Sequence, residues 1–197
     1  MGQRGAAAAF MPSRFVFPGG AVDQEDADVL LAGLPVSNCL RTLVAASDGP
    51  SASVLCAAAI RELWEETGLM MGQTGAWKTP PQAWSGFAAQ GIVPDATGLR
   101  FIFRAITPPG RPRRFDARFF LAHADSVTGD SHTFTAASGE LSGLHWVTID
   151  AARRLPLPFI TTVVLAEVAH LLGGKDQSAG VPFFDNSTNR PAFRRLI

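Results

Sequence analysis

Three glutamates, Glu62, Glu65 and Glu66, stand at positions i, i+3 and i+4 in the run Arg61-Glu62-Leu63-Trp64-Glu65-Glu66-Thr67-Gly68. On a helix that spacing crowds their carboxylates onto one face, and like charges so placed cost roughly 0.2–0.5 kcal/mol per pair. Near a helix C-terminus the backbone dipole repels anions further. Arg61 can reach Glu65 at i+4 but cannot neutralise all three. A hard divalent cation would supply the missing charge, and oxygen-only ligands point to Mg²⁺ or Mn²⁺ rather than Zn²⁺. The plain alternative for three helical glutamates is a solvated acidic surface.

The elements that must hold these residues are readable from local signals. A helix is predicted from about Ser51 to Thr67, with Ser51 or Ser53 as N-cap, Ala57 to Ala59 as strong formers and Gly68 just past its end. Upstream, Phe15-Val16-Phe17 is a short β-like run halted by Pro18-Gly19-Gly20. From Asp23 to Pro50 the chain is mixed and ends in the turn signal Ser47-Asp48-Gly49-Pro50. Residues 72–94 look irregular. Strands are predicted at Leu99–Ile106, Phe115–Ala122 and near Leu144–Thr148, and helices at Asp150–Arg153 and Thr161–Leu172. The tail from Lys175 to Ile197 carries an extended piece at Val181–Phe184.

Composition narrows the function classes. A chain of 197 residues, 47% hydrophobic, is long enough for one domain with a full core. Seventeen basic residues balance seventeen acidic ones, which argues against nucleic acid as the main partner. Only Lys78 and Lys175 are lysines, so nearly all cations are arginines, planar forks suited to phosphate. Cys39 and Cys56 form no disulfide framework or metal spacing, which fits a reducing compartment. With no long apolar run and too short a start for a signal peptide, the expectation is a soluble cytoplasmic protein without a membrane span.

The order of residues goes further than their types. Phe15 to Gly20 together with Arg61 to Gly68 resemble the Nudix hydrolases, whose box reads G-x5-E-x7-R-E-U-x-E-E-x-G-U. Leu63 and Leu69 fill both bulky aliphatic (U) positions. The resemblance implies an α/β class protein, an α/β/α sandwich with a mixed β-sheet, its N-terminal strand shortened or missing. It also implies metal-dependent hydrolysis of a diphosphate linked to another moiety. Glu62, Glu65 and Glu66 would be ligands of Mg²⁺ or Mn²⁺, with one of them the general base. Gly19 would offer its carbonyl to the cation, and Arg61 would orient the carboxylates without touching substrate.

Two departures stand out. The pattern separates its glycine from its arginine by fourteen positions, whereas Gly20 and Arg61 lie forty-one apart, an insertion of twenty-seven. Counted back from Arg61, the upstream glutamate falls on Ser53, with Glu25 or Asp26 as substitutes. The insertion, Phe10-Met11-Pro12-Ser13 before the glycines, and Arg113-Arg114-Phe115-Asp116-Ala117-Arg118-Phe119-Phe120-Leu121-Ala122 look like one subgroup, that of a peroxisomal coenzyme A diphosphatase. The resemblance covers about Ala9 to Leu172. The ending Arg195-Leu196-Ile197 carries no peroxisomal signal.

The expected layout is therefore a single domain, 1–197, with an insertion at about 23–50 and an extended tail at 175–197. Glu140, six residues before Trp146, matches a position where many such enzymes place a further carboxylate near the metals. Arg114 and Arg118, with Arg111 and Arg113 nearby, are candidates for gripping substrate phosphates or for plain surface pairs. Trp77, Trp84 and Phe87 could stack an adenine or fill the core. No histidine pair has ligand spacing. The expected partner is a small-molecule diphosphate, coenzyme A or its esters among them, and a homodimer is compatible. A nucleotide sugar or dinucleotide, or a binding module without turnover, are the rival readings.

Overall fold

The computed structural model describes residues 1–8 and 10–197, so Ala9, where the resemblance begins, lies outside the described residues. Two helices sandwich a mixed sheet. The central helix α2 (Ala52–Thr67) starts where Ser51 accepts the Val54 amide at its hydroxyl and ends where Gly68 turns left-handed, φ +76°, donating its N–H to Trp64. Leu55, Cys56, Ala57 and Ile60 of α2 are buried in one core with Phe101, Val181, Phe183 and Leu196. On the other side, Val164 and Leu171 of α5 (Phe159–Leu172) pack with Ile102, Phe103 and Ala105.

The sheet between them runs β6 (Asp116–Leu121), β5 (Arg100–Ile106), β8 (Val181–Asp185), β9 (Ala192–Leu196). It is mixed, because β5 and β8 are parallel while the outer pairs are antiparallel. A register shift between Phe101 and Phe103 lets one strand serve both cores, with Phe101 toward α2 and Phe103 toward α5. The expected α/β class with a mixed sheet is what the chain adopts.

A second sheet is antiparallel throughout. Its order is β2 (Phe15–Val16), β1 (Gly2–Arg4), β7 (Leu141–Ser142). The N-terminal strand is thus present and three residues long. The strand expected near Leu144–Thr148 does not form there; a two-residue strand stands just before it, at Leu141–Ser142, because β1 sets the pairing: Gln3 opposes Ser142, and Met1 and His145 exchange two backbone hydrogen bonds. A local pattern cannot show that partner.

The segment 72–94, expected to be irregular, contains β3 (Gly72–Thr74) paired with β4 (Ile92–Pro94) and a short helix α3 (Ser85–Ala88). Trp84 and Phe87 lie fully inside the core, with Trp77 packed on Trp84, so they pack rather than stack on a ligand. The segment 23–50, expected to be an insertion, contains a 3₁₀ turn at Gln24–Asp28 and helix α1 (Ser37–Val44). A further short helix, α4 (Ile149–Ala152), precedes α5. No helix among the described residues is long and apolar enough to cross a membrane.

Candidate active site

Arg61 organises the site, and every donor it has is used. Its Nε donates to Asp26 Oδ1 at 2.9 Å, and Nη2 donates to Asp26 Oδ2 at 3.0 Å and the Ala21 carbonyl at 2.8 Å. Nη1 donates to Glu62 Oε1 at 2.9 Å and Glu65 Oε2 at 3.1 Å. A guanidinium has five N–H groups, so nothing remains for a substrate. Burial disfavours its charge, but Asp26 and Glu62 more than offset that, so Arg61 stays cationic and its pKa rises.

Asp26, 1% exposed, is the residue that the count back from Arg61 missed. Counted forward from Gly20, the acidic position of the pattern falls on Asp26. The aspartate forms a bidentate pair with Arg61 and also accepts the Trp84 indole N–H at 3.3 Å. Its neighbour Glu25 instead accepts the Ala83 amide. Ser53 sits in the first turn of α2, hydrogen-bonded to Ser51.

The three glutamates do not form a solvated face. Glu66 is 3% exposed, Glu62 is half-buried, and Glu65 reaches solvent. Burial pushes the Glu66 carboxyl up to about 7; the Gly19 hydrogen bond pulls against this, and the charges of Glu62 and Glu140 add to it. Burial also raises Glu62, opposed by Arg61 and reinforced by Glu65 and Glu140. Glu140 lies just before β7, and its charge adds to both shifts.

Two glycines let the backbone approach these carboxylates. The Gly19 N–H donates to Glu66 Oε2 at 2.8 Å from a backbone with φ +152°, open to glycine. A Cβ on Gly20 would stand 2.4 Å from both Glu62 carboxylate oxygens. The loop before Glu140 is tied to the same helix end, since the Ser138 N–H donates to the Glu65 carbonyl at 2.8 Å.

The donor set suits a hard cation in type. Arg61 and Gly19 each occupy only one oxygen of the glutamate they bind, leaving Glu62 Oε2, Glu65 Oε1 and Glu66 Oε1 for another ligand. Among the described residues, no three acidic, histidine or cysteine side chains are yet drawn close enough to cage an ion.

Arg114 and Arg118 are engaged elsewhere. Arg114 donates to the carbonyls of Thr107, Asn186 and Ser187. Arg118 pairs with Asp116 at 3.0 Å and donates to the Ser47 hydroxyl, and Arg104 shares the same aspartate. Arg118 is thus a buried pair with Asp116 and Arg114 a clip on backbone carbonyls, and neither contacts the glutamates in these bonds.

The chain is similar to two proteins of one family. It is 29% identical over 160 residues to a Caenorhabditis elegans protein provisionally named nudix hydrolase 7, covering 74% of this chain and 44% of that one. The chain therefore spans under half the length of this curated relative. It also superposes on the crystal structure of a NUDIX hydrolase from Alicyclobacillus acidocaldarius with a TM-score of 0.54, at 25% identity, over 85% of this chain and 82% of the other. No protein-family model matches the chain.

Proposed function

We propose that the chain is a Nudix hydrolase, an enzyme that splits a diphosphate linkage with a divalent cation, Mg²⁺ or Mn²⁺, held by Glu62, Glu65 and Glu66. The observation that carries this is the buried Glu66, its carboxyl lifted to about 7, beside Glu62 and on the Gly19 amide. Packing an acid so that its charge is disfavoured makes sense where a cation restores it. The likeness to two Nudix hydrolases supports the same reading.

A bound divalent cation supplies neutralisation of the diphosphate and a more acidic water. The residues of the chain do the rest. Arg61, fixed by Asp26, aims Glu62 and Glu65 without spending a donor on substrate. Gly19 holds one Glu66 oxygen, which leaves the other without a hydrogen bond from the chain among the described residues. One glutamate accepts the proton of the attacking water as it adds across the P–O–P link, and two phosphate esters leave. Glu140 and the backbone carbonyl of Gly19 complete the ligand set. Coenzyme A and its esters are the substrates favoured by the length of the insertion.

The test is Glu65→Gln and Glu66→Gln, each assayed with Mg²⁺ on a panel of diphosphates including coenzyme A, a nucleotide sugar and a dinucleotide. Turnover should fall by about 10²-fold or more in each variant. With coenzyme A, mass spectrometry should find 4′-phosphopantetheine and adenosine 3′,5′-bisphosphate. Full activity in both variants would overturn the mechanism, and wild-type binding without cleavage across the panel would favour a non-catalytic module.

A further inference from the structure

Arg104 and Arg118 stand directly opposite each other on β5 and β6, and their guanidiniums share one carboxylate, that of Asp116. Both side chains are buried, 3% and 5% exposed. Like charges directly opposite on a sheet destabilise it, and two cations against one aspartate leave a positive charge over. The nearby carboxylates do not take it up. Asp185 is held by Ser187 and Arg194, and the exposed Asp48 forms no ion pair among the described residues.

The edge of a guanidinium that carries Nε and Nη2 can grip an oxyanion with two parallel hydrogen bonds. Arg61 sets that edge on Asp26, at 2.9 and 3.0 Å, and Arg104 sets it on Asp116, at 2.8 and 2.7 Å. Arg118 has no carboxylate there. Its Nη2 donates to the Ser47 hydroxyl at 2.8 Å, while its Nε is shut off from water without a hydrogen-bond partner. Its Nη1 is spent on the backbone carbonyl and the carboxylate of Asp116. A buried donor left unmade is costly. Ser47 is half-buried and opens the turn Ser47-Asp48-Gly49-Pro50, whose other residues are exposed, so the fork lies just beneath a solvent-facing turn. Four residues on, Ser51 caps α2, whose N-terminus adds positive potential.

We propose that Arg118 and the turn at Ser47 form a binding site for inorganic phosphate, which docks on the Nε–Nη2 edge of Arg118 and takes the place of the Ser47 hydroxyl on Nη2. The anion gives Nε its partner and neutralises the surplus charge of the arginine pair. This site is separate from the glutamates, because most of the length of α2, about 15–20 Å at 1.5 Å per residue, divides Ser51 from Glu62 and Glu66. It stands independently of the diphosphate reading.

The probe is inorganic phosphate, titrated into the metal-free chain at constant ionic strength, with chloride as the control anion and the arginine Nε–H signals followed by nitrogen-edited proton NMR. The Arg118 signal, identified by its loss in Arg118→Lys, should move and saturate with a Kd of about 1 mM or tighter. Arg118→Lys keeps the charge but not the fork, so calorimetry should find phosphate bound at least about 10-fold more weakly. Glu65→Gln and Glu66→Gln should bind it like wild type. A wild-type Arg118 signal that phosphate leaves in place, or that chloride moves as far, would overturn the site. So would phosphate affinity that survives Arg118→Lys or is lost in Glu66→Gln. If Arg118→Lys does not fold, Ser47→Ala identifies the signal instead, since the hydroxyl it removes sits on the neighbouring Nη2. Phosphate should still bind that variant, and loss of binding there would overturn the proposal.

Discussion

Asp26 and Arg61 form a buried bidentate pair on which the carboxylates depend. Removing one partner strands the other charge in the interior, which typically costs about 3–5 kcal/mol. Asp26→Ala should therefore lower unfolding free energy by about that much and release Arg61 from its place, so denaturant melts and turnover should both drop. Glu66 gives a pH signature. Its folded carboxyl titrates at about 7, above the usual 4.5, so the native state holds the proton more tightly than the unfolded chain. Its stabilising contribution is full below 4.5 and is lost as pH rises through 7. At 1.36 kcal/mol per pKa unit this is about 3 kcal/mol. Metal-free protein should melt at lower temperature at pH 8 than at pH 5, and Mg²⁺ should raise the melting temperature more at pH 8. Glu66→Gln should flatten both trends.

Helix α2 ends where the chemistry sits, and its C-terminus shows how an element and a site constrain each other. Gly68 holds the left-handed cap, and a Cβ there would stand 2.9 Å from Ala136 Cβ and 3.1 Å from its backbone carbonyl carbon. Gly68→Ala should cost about 1–2 kcal/mol in a denaturant melt, from the positive φ and the displaced loop together. Gly20→Ala separates the two kinds of effect. The nearest atoms to its Cβ would be those of the Glu62 carboxylate, a flexible end, so the chain should keep most of its stability while Glu62 is pushed off Arg61. Turnover should fall at least about 10-fold with a melting temperature within a few degrees of wild type. In the short sheet β2-β1-β7, β2 ends three residues before Gly19 and β7 starts just after Glu140.

Across the whole molecule, the segment 23–50 is part of the core. Leu43 of α1 is 0% exposed and packs in the same cluster as α2, and Arg104 of β5 donates to the carbonyls of Ala45 and Ala46 at the end of α1. Leu43→Ala should destabilise the protein by about 2–5 kcal/mol, where an appended loop would show almost nothing. The sequence by itself determined α2 from Ser51 to Gly68, the two central strands, α5 and the charged run Arg61-Glu62-Glu65-Glu66, because helix caps, periodicity and motif spacing are written in neighbouring residues. It also carried Asp26, legible from Gly20 forward but not from Arg61 backward, since a long stretch of chain lies between them. Only the tertiary structure decided that Glu66 is buried, that Arg114 and Arg118 are occupied, and that α1 joins the core. Those outcomes depend on which distant segments meet, and desolvation and ion pairing are set by that meeting rather than by any residue alone.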